Sequence, residues 1–200
     1  MYYVPFCASA RNQDRKWFND DCVNIVSVGK FVKRKNHDLL MRSLETLTSK
    51  VRFRLTIVGE ISDVTGKSYF RRIADMARQM PFEVNLRVNL DREEVFRIYE
   101  DSDLFVLASE REPASVSNLE AMSCGLPIIV SDSNQTACYI DDNGLIFESG
   151  SAADLSAKLE KIMSDREFLI QCGDKSKELV AEHHASDKVY RFLLEEILEK

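Results

Sequence analysis

The sequence has no apolar run long enough to span a bilayer. Its start, MYYVPFCASARNQDRKW, lacks the charged-then-apolar order of a secretory signal. Both absences point to a soluble chain expected in the cytoplasm, with peripheral attachment at an inner membrane face left open. A basic excess is also missing: 27 Lys and Arg stand against 33 Asp and Glu, a formal net charge of −6. No overall electrostatic footprint for nucleic acid follows from that balance. The five cysteines (Cys7, Cys22, Cys124, Cys138, Cys172) are odd in number and form no CxxC pair. Reduced packing thiols are therefore expected rather than a disulfide frame or a zinc site. No GxGxxG, P-loop lysine motif or GxSxG occurs, which removes the signatures of dinucleotide oxidoreductases, NTPases and serine hydrolases.

What is there is a chain of 200 residues with 44% hydrophobic content, enough for one sizeable domain. After an irregular opening over residues 1–22, short apolar runs alternate with amphipathic stretches. VNIVSVG (Val23–Gly29) predicts a buried strand, and His37–Ser49 a helix with Leu39, Leu40, Leu44 and Leu47 on one side. Phe53–Glu60 predicts a second strand, Ser68–Met80 a second helix and Phe82–Leu90 a half-exposed strand. Asp91-Arg92-Glu93-Glu94 matches a capping box opening the next helix. Asp103–Ser109, Leu126–Asp132 and Asn143–Ser149 read as strands, and the chain is helical in pattern from Ala152 onward. Alternating helices and continuously apolar strands imply a doubly wound α/β domain on a parallel sheet, with a helical C-terminal tail.

Ligands of open parallel sheets sit at the carboxyl ends of the strands. That rule selects the loops after Val28, Val58 and Leu107. The first is basic, Gly29-Lys30-Phe31-Val32-Lys33-Arg34-Lys35-Asn36; the third is acidic, Ser109-Glu110-Arg111-Glu112-Pro113. EPASVSNLEAMSCGLP, from Glu112 to Pro127, is a loop turning into a helix start with a carboxylate on each side. Free N–H groups there suit an anion, and the two acids suit sugar hydroxyls.

Taken singly, these features have plainer readings. Ser117-Asn118-Leu119-Glu120 fits S-x-x-E, which makes Glu120 a capping-box acid. Glu112, held extended by Pro113, reads as a solvated loop acid. Lys30, Lys33, Arg34 and Lys35 read as a solvated turn, with Lys33 and Arg34 the surface pair. His37 opens the first helix, and His183 and His184 read as surface residues. Asp101-Ser102-Asp103 has a DxD spelling but sits before its strand, where a helix-to-strand turn explains it.

The order of the pieces says more. VSVGKFVKRKNHDLL, LTIVGE, YEDSDLFVLASEREPASVSNLEAMSCGLPIIVSD and DNGLIFESGSAADL resemble the C-terminal, donor-binding domain of the retaining glycosyltransferases of family 4 (glycosyl transferases group 1). That resemblance covers roughly Val23 to Leu155 and implies a Rossmann-like half of a GT-B fold. By it, Glu112 contacts donor-sugar hydroxyls and Glu120 the ribose. Lys30 and Lys35 grip the diphosphate, beside Gly29 and the backbone of Ala114, Ser115 and Val116. Four places depart from the family pattern. Lys30 replaces a common arginine, Asn36 a frequent glycine and Ser115 a usual glycine. Ser133–Cys138 stands where a Gly-Gly pair and a later glutamate are typical.

The resemblance further implies transfer of a sugar from a nucleotide diphosphate sugar to a glycan, lipid-linked or other acceptor, with retention, as in polysaccharide biosynthesis. It implies no metal and no other cofactor. Family members carry an N-terminal acceptor-binding domain that this chain lacks. Residues 1–22 resemble the interdomain connection, residues 23–200 the donor domain, and KVYRFLLEEILEK the helices that pack back towards the missing half. A fragment of a longer enzyme, inactive alone, is the expectation. The alternative is a non-catalytic nucleotide-sugar binding module with a separate acceptor-domain partner. A GT-B epimerase ranks lower, because no acid/base groups can be assigned to it.

Overall fold

The computed structural model describes residues 15–192 together with Cys7, Ala8, Arg11 and Leu194. The expected connection over 1–22 and the KVYRFLLEEILEK tail fall partly outside those residues.

Six strands form one sheet: β1 (Val23–Val28), β2 (Phe53–Gly59), β3 (Glu83–Val88), β4 (Leu104–Leu107), β5 (Ile128–Ser131) and β6 (Gly144–Phe147). Their order is β3-β2-β1-β4-β5-β6, and every pairing is parallel. The register sets Ile25 opposite Leu55 and Leu104, and Phe105 opposite Ile128. The helices are α1 (His37–Glu45), α2 (Val64–Ala77), α3 (Arg92–Glu100), α4 (Val116–Ser123), α5 (Ala152–Ser164), α6 (Arg166–Leu179) and α7 (Ser186–Phe192).

Side chains alternate across a strand, so the central strands feed two cores. Ile25, Leu104, Val106 and Ile129 pack with Leu40, Leu44, Ile73, Leu155 and Leu159 under α1, α2 and α5. Val26, Phe105, Leu107 and Val130 pack with Tyr99, Leu119 and Met122 under α3 and α4. Burial on both faces explains why these strands are apolar without alternation. The doubly wound parallel architecture and helical C-terminal region match the expectation.

Three helix boundaries move, one of them the end of the second helix, which stops at Ala77 short of Met80. The first helix stops at Glu45, because Thr46 turns out of it and bonds its hydroxyl to the Ser43 carbonyl at 3.0 Å. The second begins at Val64, because Asp63 caps it by accepting from Gly66 N–H at 2.6 Å. The Asp91–Glu94 capping box forms as expected. Asp103 of the DxD spelling lies at the amino edge of β4, where its carboxylate accepts from the N–H groups of Phe18 and Asn24. It is a structural brace.

His184 corrects the surface reading. It is buried, edge-on to the Tyr139 ring at 5.0 Å, because the chain widens to π geometry over Val180–His184 and turns that side inward. His183 stays exposed beside Glu182.

Candidate functional site

The strand order reverses between the parallel neighbours β1 and β4, and the loops leaving these two strands face each other. They are tied together. Glu110 N–H donates to the Arg34 carbonyl at 2.8 Å, and Asn36 Nδ2 donates to Ala108 O at 3.2 Å and Glu110 Oε1 at 2.9 Å. Asn36 has φ 51°, a left-handed conformation that asparagine tolerates. Phe31, fully buried, anchors the first loop against Phe70 and His37. Gly59 lets β2 run close beneath it: a Cβ there would lie 2.2 Å from the Gly29 carbonyl oxygen.

Glu112 is not a solvated acid. It is 7% exposed, and its Oε2 accepts from Lys35 Nζ and from Arg34 Nη1, the latter at 2.7 Å. Burial opposes its charge, but the bonds and charges of Lys35 and then Arg34 outweigh it and hold the carboxyl below its usual range. Burial draws the Lys35 ammonium below its usual range, and Glu112 offsets only part of that. Arg34, expected at the surface beside Lys33, is half exposed but turned onto Glu112.

The capping box assigned to Ser117 and Glu120 does not form. Ser115 is the N-cap of α4, and its Oγ accepts from Asn118 N–H at 3.2 Å. Ser115 needs no glycine-like backbone, since its φ is −123°. Ser117 instead donates to the Val28 carbonyl at 3.2 Å, tying α4 to the end of β1. Glu120 thus lies in the second turn of α4, free of any capping duty. It lines a cavity of about 420 Å³ with Val116, Leu119, Phe96 and Arg92, whose guanidinium is 3.4 Å away. Burial raises its pKa, with Arg92 and Arg11 opposing.

Lys30 stands apart from Lys35. Its ammonium pairs with Glu60 at 3.2 Å at the mouth of a cavity of about 620 Å³, lined by Gly29, Val58, Gly59, Asn89, Leu90 and Val95. Ala114, just ahead of α4, is half-buried, and Val116, its first residue, is exposed. The two cavities flank the first turn of α3. Another, of about 260 Å³, lies at the opposite sheet edge around Arg15, Asp101 and Cys124, away from these loops.

Sequence reasoning missed Arg34, Arg92 and Glu60 as site neighbours; each is a charged residue whose partner lies far along the chain. Among the described residues, no group of three or more His, Cys, Asp or Glu could hold a metal ion. None of the helices there is long and apolar enough to cross a membrane. His37 opens α1 fully buried, between Phe31 and Tyr69. Desolvation lowers its pKa to about 4, so it stays neutral.

A parallel six-stranded sheet with this crevice and paired loops is the donor-side architecture of GT-B glycosyltransferases. The chain belongs to the glycosyl transferases group 1 family, which matches residues 10–179. The Escherichia coli O-antigen biosynthesis glycosyltransferase WbnH is 29% identical over 163 residues, 81% of this chain and 44% of that protein. A group 1 C-terminal domain (LpcC) from Francisella tularensis superposes with a TM-score of 0.75 at 20% identity, covering 92% of this chain and 97% of that one. Staphylococcus aureus TarM, solved with UDP among its ligands, has a TM-score of 0.80 at 19% identity, covering 96% and 38%. The chain spans less than half the length of the curated relatives it matches.

Proposed function

We propose that this chain is the part of a retaining glycosyltransferase that binds a nucleotide diphosphate sugar. The observation that carries the reading is the convergence of Lys35, Arg34 and Glu112 at the β1/β4 crevice, beside the N-terminus of α4. A diphosphate there meets Lys35, Arg34 and the first-turn amides of α4, with Gly29, Ala114, Ser115 and Val116 shaping the wall. Both cations approach one oxygen of Glu112, which leaves Oε1 to accept from sugar hydroxyls. Glu120, at its separate cavity, takes the ribose, and Lys30 reaches the phosphates from the rim by releasing Glu60. Transfer breaks the bond from the anomeric carbon to the diphosphate oxygen and forms one from that carbon to an acceptor hydroxyl oxygen; the electron pair leaves with the diphosphate, which takes up the hydroxyl proton. The cations and the helix terminus stabilise that charge without a metal. An acceptor glycan or lipid-linked glycan enters from an N-terminal domain outside this chain.

Calorimetric titration with UDP, GDP and their hexose conjugates tests the reading. One nucleotide family is expected to bind the wild type, and Glu120→Ala to weaken it by about tenfold, the loss of one or two charge-assisted hydrogen bonds. Equal binding by both proteins counts against the ribose role, and binding by neither removes the donor reading.

A further inference from the structure

Glu112 is held by more than its cations. Its backbone N–H donates to Asn134 Oδ1 at 2.9 Å, and its carbonyl accepts from Gln135 N–H at 3.0 Å. Asn134 is 2% exposed, in the turn that follows β5, and its Nδ2 reaches Ser109 Oγ at 3.4 Å. Neighbouring hydroxyls reinforce the tie. Ser131 Oγ donates to the Ser109 carbonyl at 2.7 Å and lies 3.1 Å from Ser133 Oγ, which in turn donates to Ser149 Oγ at 2.9 Å. The backbone over 109–112 is thereby bound to the segment over 131–135, whose residues from Ser133 onward depart from the family pattern.

That grip has a job. Arg111, just before Glu112, has φ 52°, a left-handed conformation costly for an arginine, so the turn needs restraint from its surroundings. Two cations also draw the Glu112 carboxylate to one side. A buried acceptor fixed on the Glu112 amide opposes both tendencies.

We propose that Asn134 is a positioning residue for Glu112: it fixes the Glu112 backbone so that the carboxylate is presented to the sugar of a bound donor. This rests on the donor reading above. In calorimetry, Asn134→Ala is expected to leave affinity for UDP or GDP, whichever the wild type binds, within about twofold, while weakening the matching sugar nucleotide roughly fivefold or more. Glu112→Gln should remove the same sugar increment, and the double variant no more than either alone, because the two act through one contact. Asn134→Asp keeps the acceptor oxygen and should keep most of the increment. Equal losses for nucleotide and sugar nucleotide, or additive losses in the double variant, would overturn the proposal. Should the wild type bind no nucleotide, the donor reading fails by itself and amide exchange decides the positioning. Asn134→Ala must then speed exchange of the Glu112 N–H by about tenfold while sparing that of Leu119. An unchanged Glu112 rate sinks the idea.

Discussion

Single side chains carry charges that the fold has partly removed from water, and their removal should be costly. Lys35→Met leaves Glu112 buried with only the half-exposed Arg34. Urea unfolding should show a loss of about 3 kcal/mol, the usual cost of breaking a buried pair; a loss under about 1 kcal/mol would mean that solvent screens the pair. Arg15 is a second case: its guanidinium donates to the carbonyls of Ser102, Tyr99 and Cys124, knitting residues before β1 to the ends of α3 and α4. Arg15→Ala should cost about 2–4 kcal/mol in the same assay, since the carbonyls of Ser102 and Cys124 lose this donor and that of Tyr99 keeps only backbone N–H groups. His37 supplies a pH dependence. Its folded pKa of about 4 lies below its ordinary 6.5, so the unfolded chain takes up the proton first as pH falls. Its contribution is complete above pH 6.5 and declines towards pH 4. Between pH 7.5 and pH 5 the wild type should lose about 2 kcal/mol more than His37→Phe. Parallel curves for the two proteins would place the imidazole in water. Burial of Glu112 was not legible in the sequence, because Arg34 and Lys35 lie 78 and 77 positions away. Pro113 correctly excluded a helix there, but nothing local tells an exposed extended acid from a buried one.

Among the elements, α4 concentrates the site. It stops at Ser123, just ahead of Gly125, whose φ of 73° suits a residue without a Cβ, and its N-cap is Ser115 rather than Ser117. S-x-x-E misled because Ser115 and Ser117 are both able caps; tertiary contact decided, with the Ser117 hydroxyl drawn to the Val28 carbonyl. Ser115→Ala should lower stability by about 1 kcal/mol in thermal or urea unfolding, whereas Glu120→Ala should leave it within about 0.5 kcal/mol, because no cap is lost. A loss for Glu120→Ala as large as that for Ser115→Ala would restore the capping role. The strands were legible for the opposite reason. Ile25, Leu104 and Ile129 feed one core while Val26, Phe105 and Val130 feed the other, so each strand declares itself by being apolar throughout. Exposed Glu83 and Arg87 mark β3 as one of the two edge strands. His184 misled because its aromatic partner, Tyr139, sits 45 positions earlier, outside any local pattern.

At the scale of the whole molecule, the order β3-β2-β1-β4-β5-β6 opens one crevice, and the chain places its basic loop and its Glu112 loop on either side of it. From the strand pattern alone the sheet-edge rule selected three loops, after β1, β2 and β4, and the strand order then sets the first and third side by side. The pairing of Lys30 with Glu60, away from Lys35, could not be read that way, because it depends on where β2 ends. The central claim is that the crevice receives a nucleotide diphosphate, with Glu112 towards the sugar and Glu120 towards the ribose. A crystal structure of the chain soaked with the sugar nucleotide it binds best is the most direct measurement. The account predicts diphosphate oxygens within hydrogen-bond distance of Lys35 Nζ and of the Val116 or Ser117 N–H, with ribose hydroxyls on Glu120. A nucleotide seated instead at the amino edge around Arg15 and Asp101, with the Lys35–Glu112 pair untouched, would contradict it.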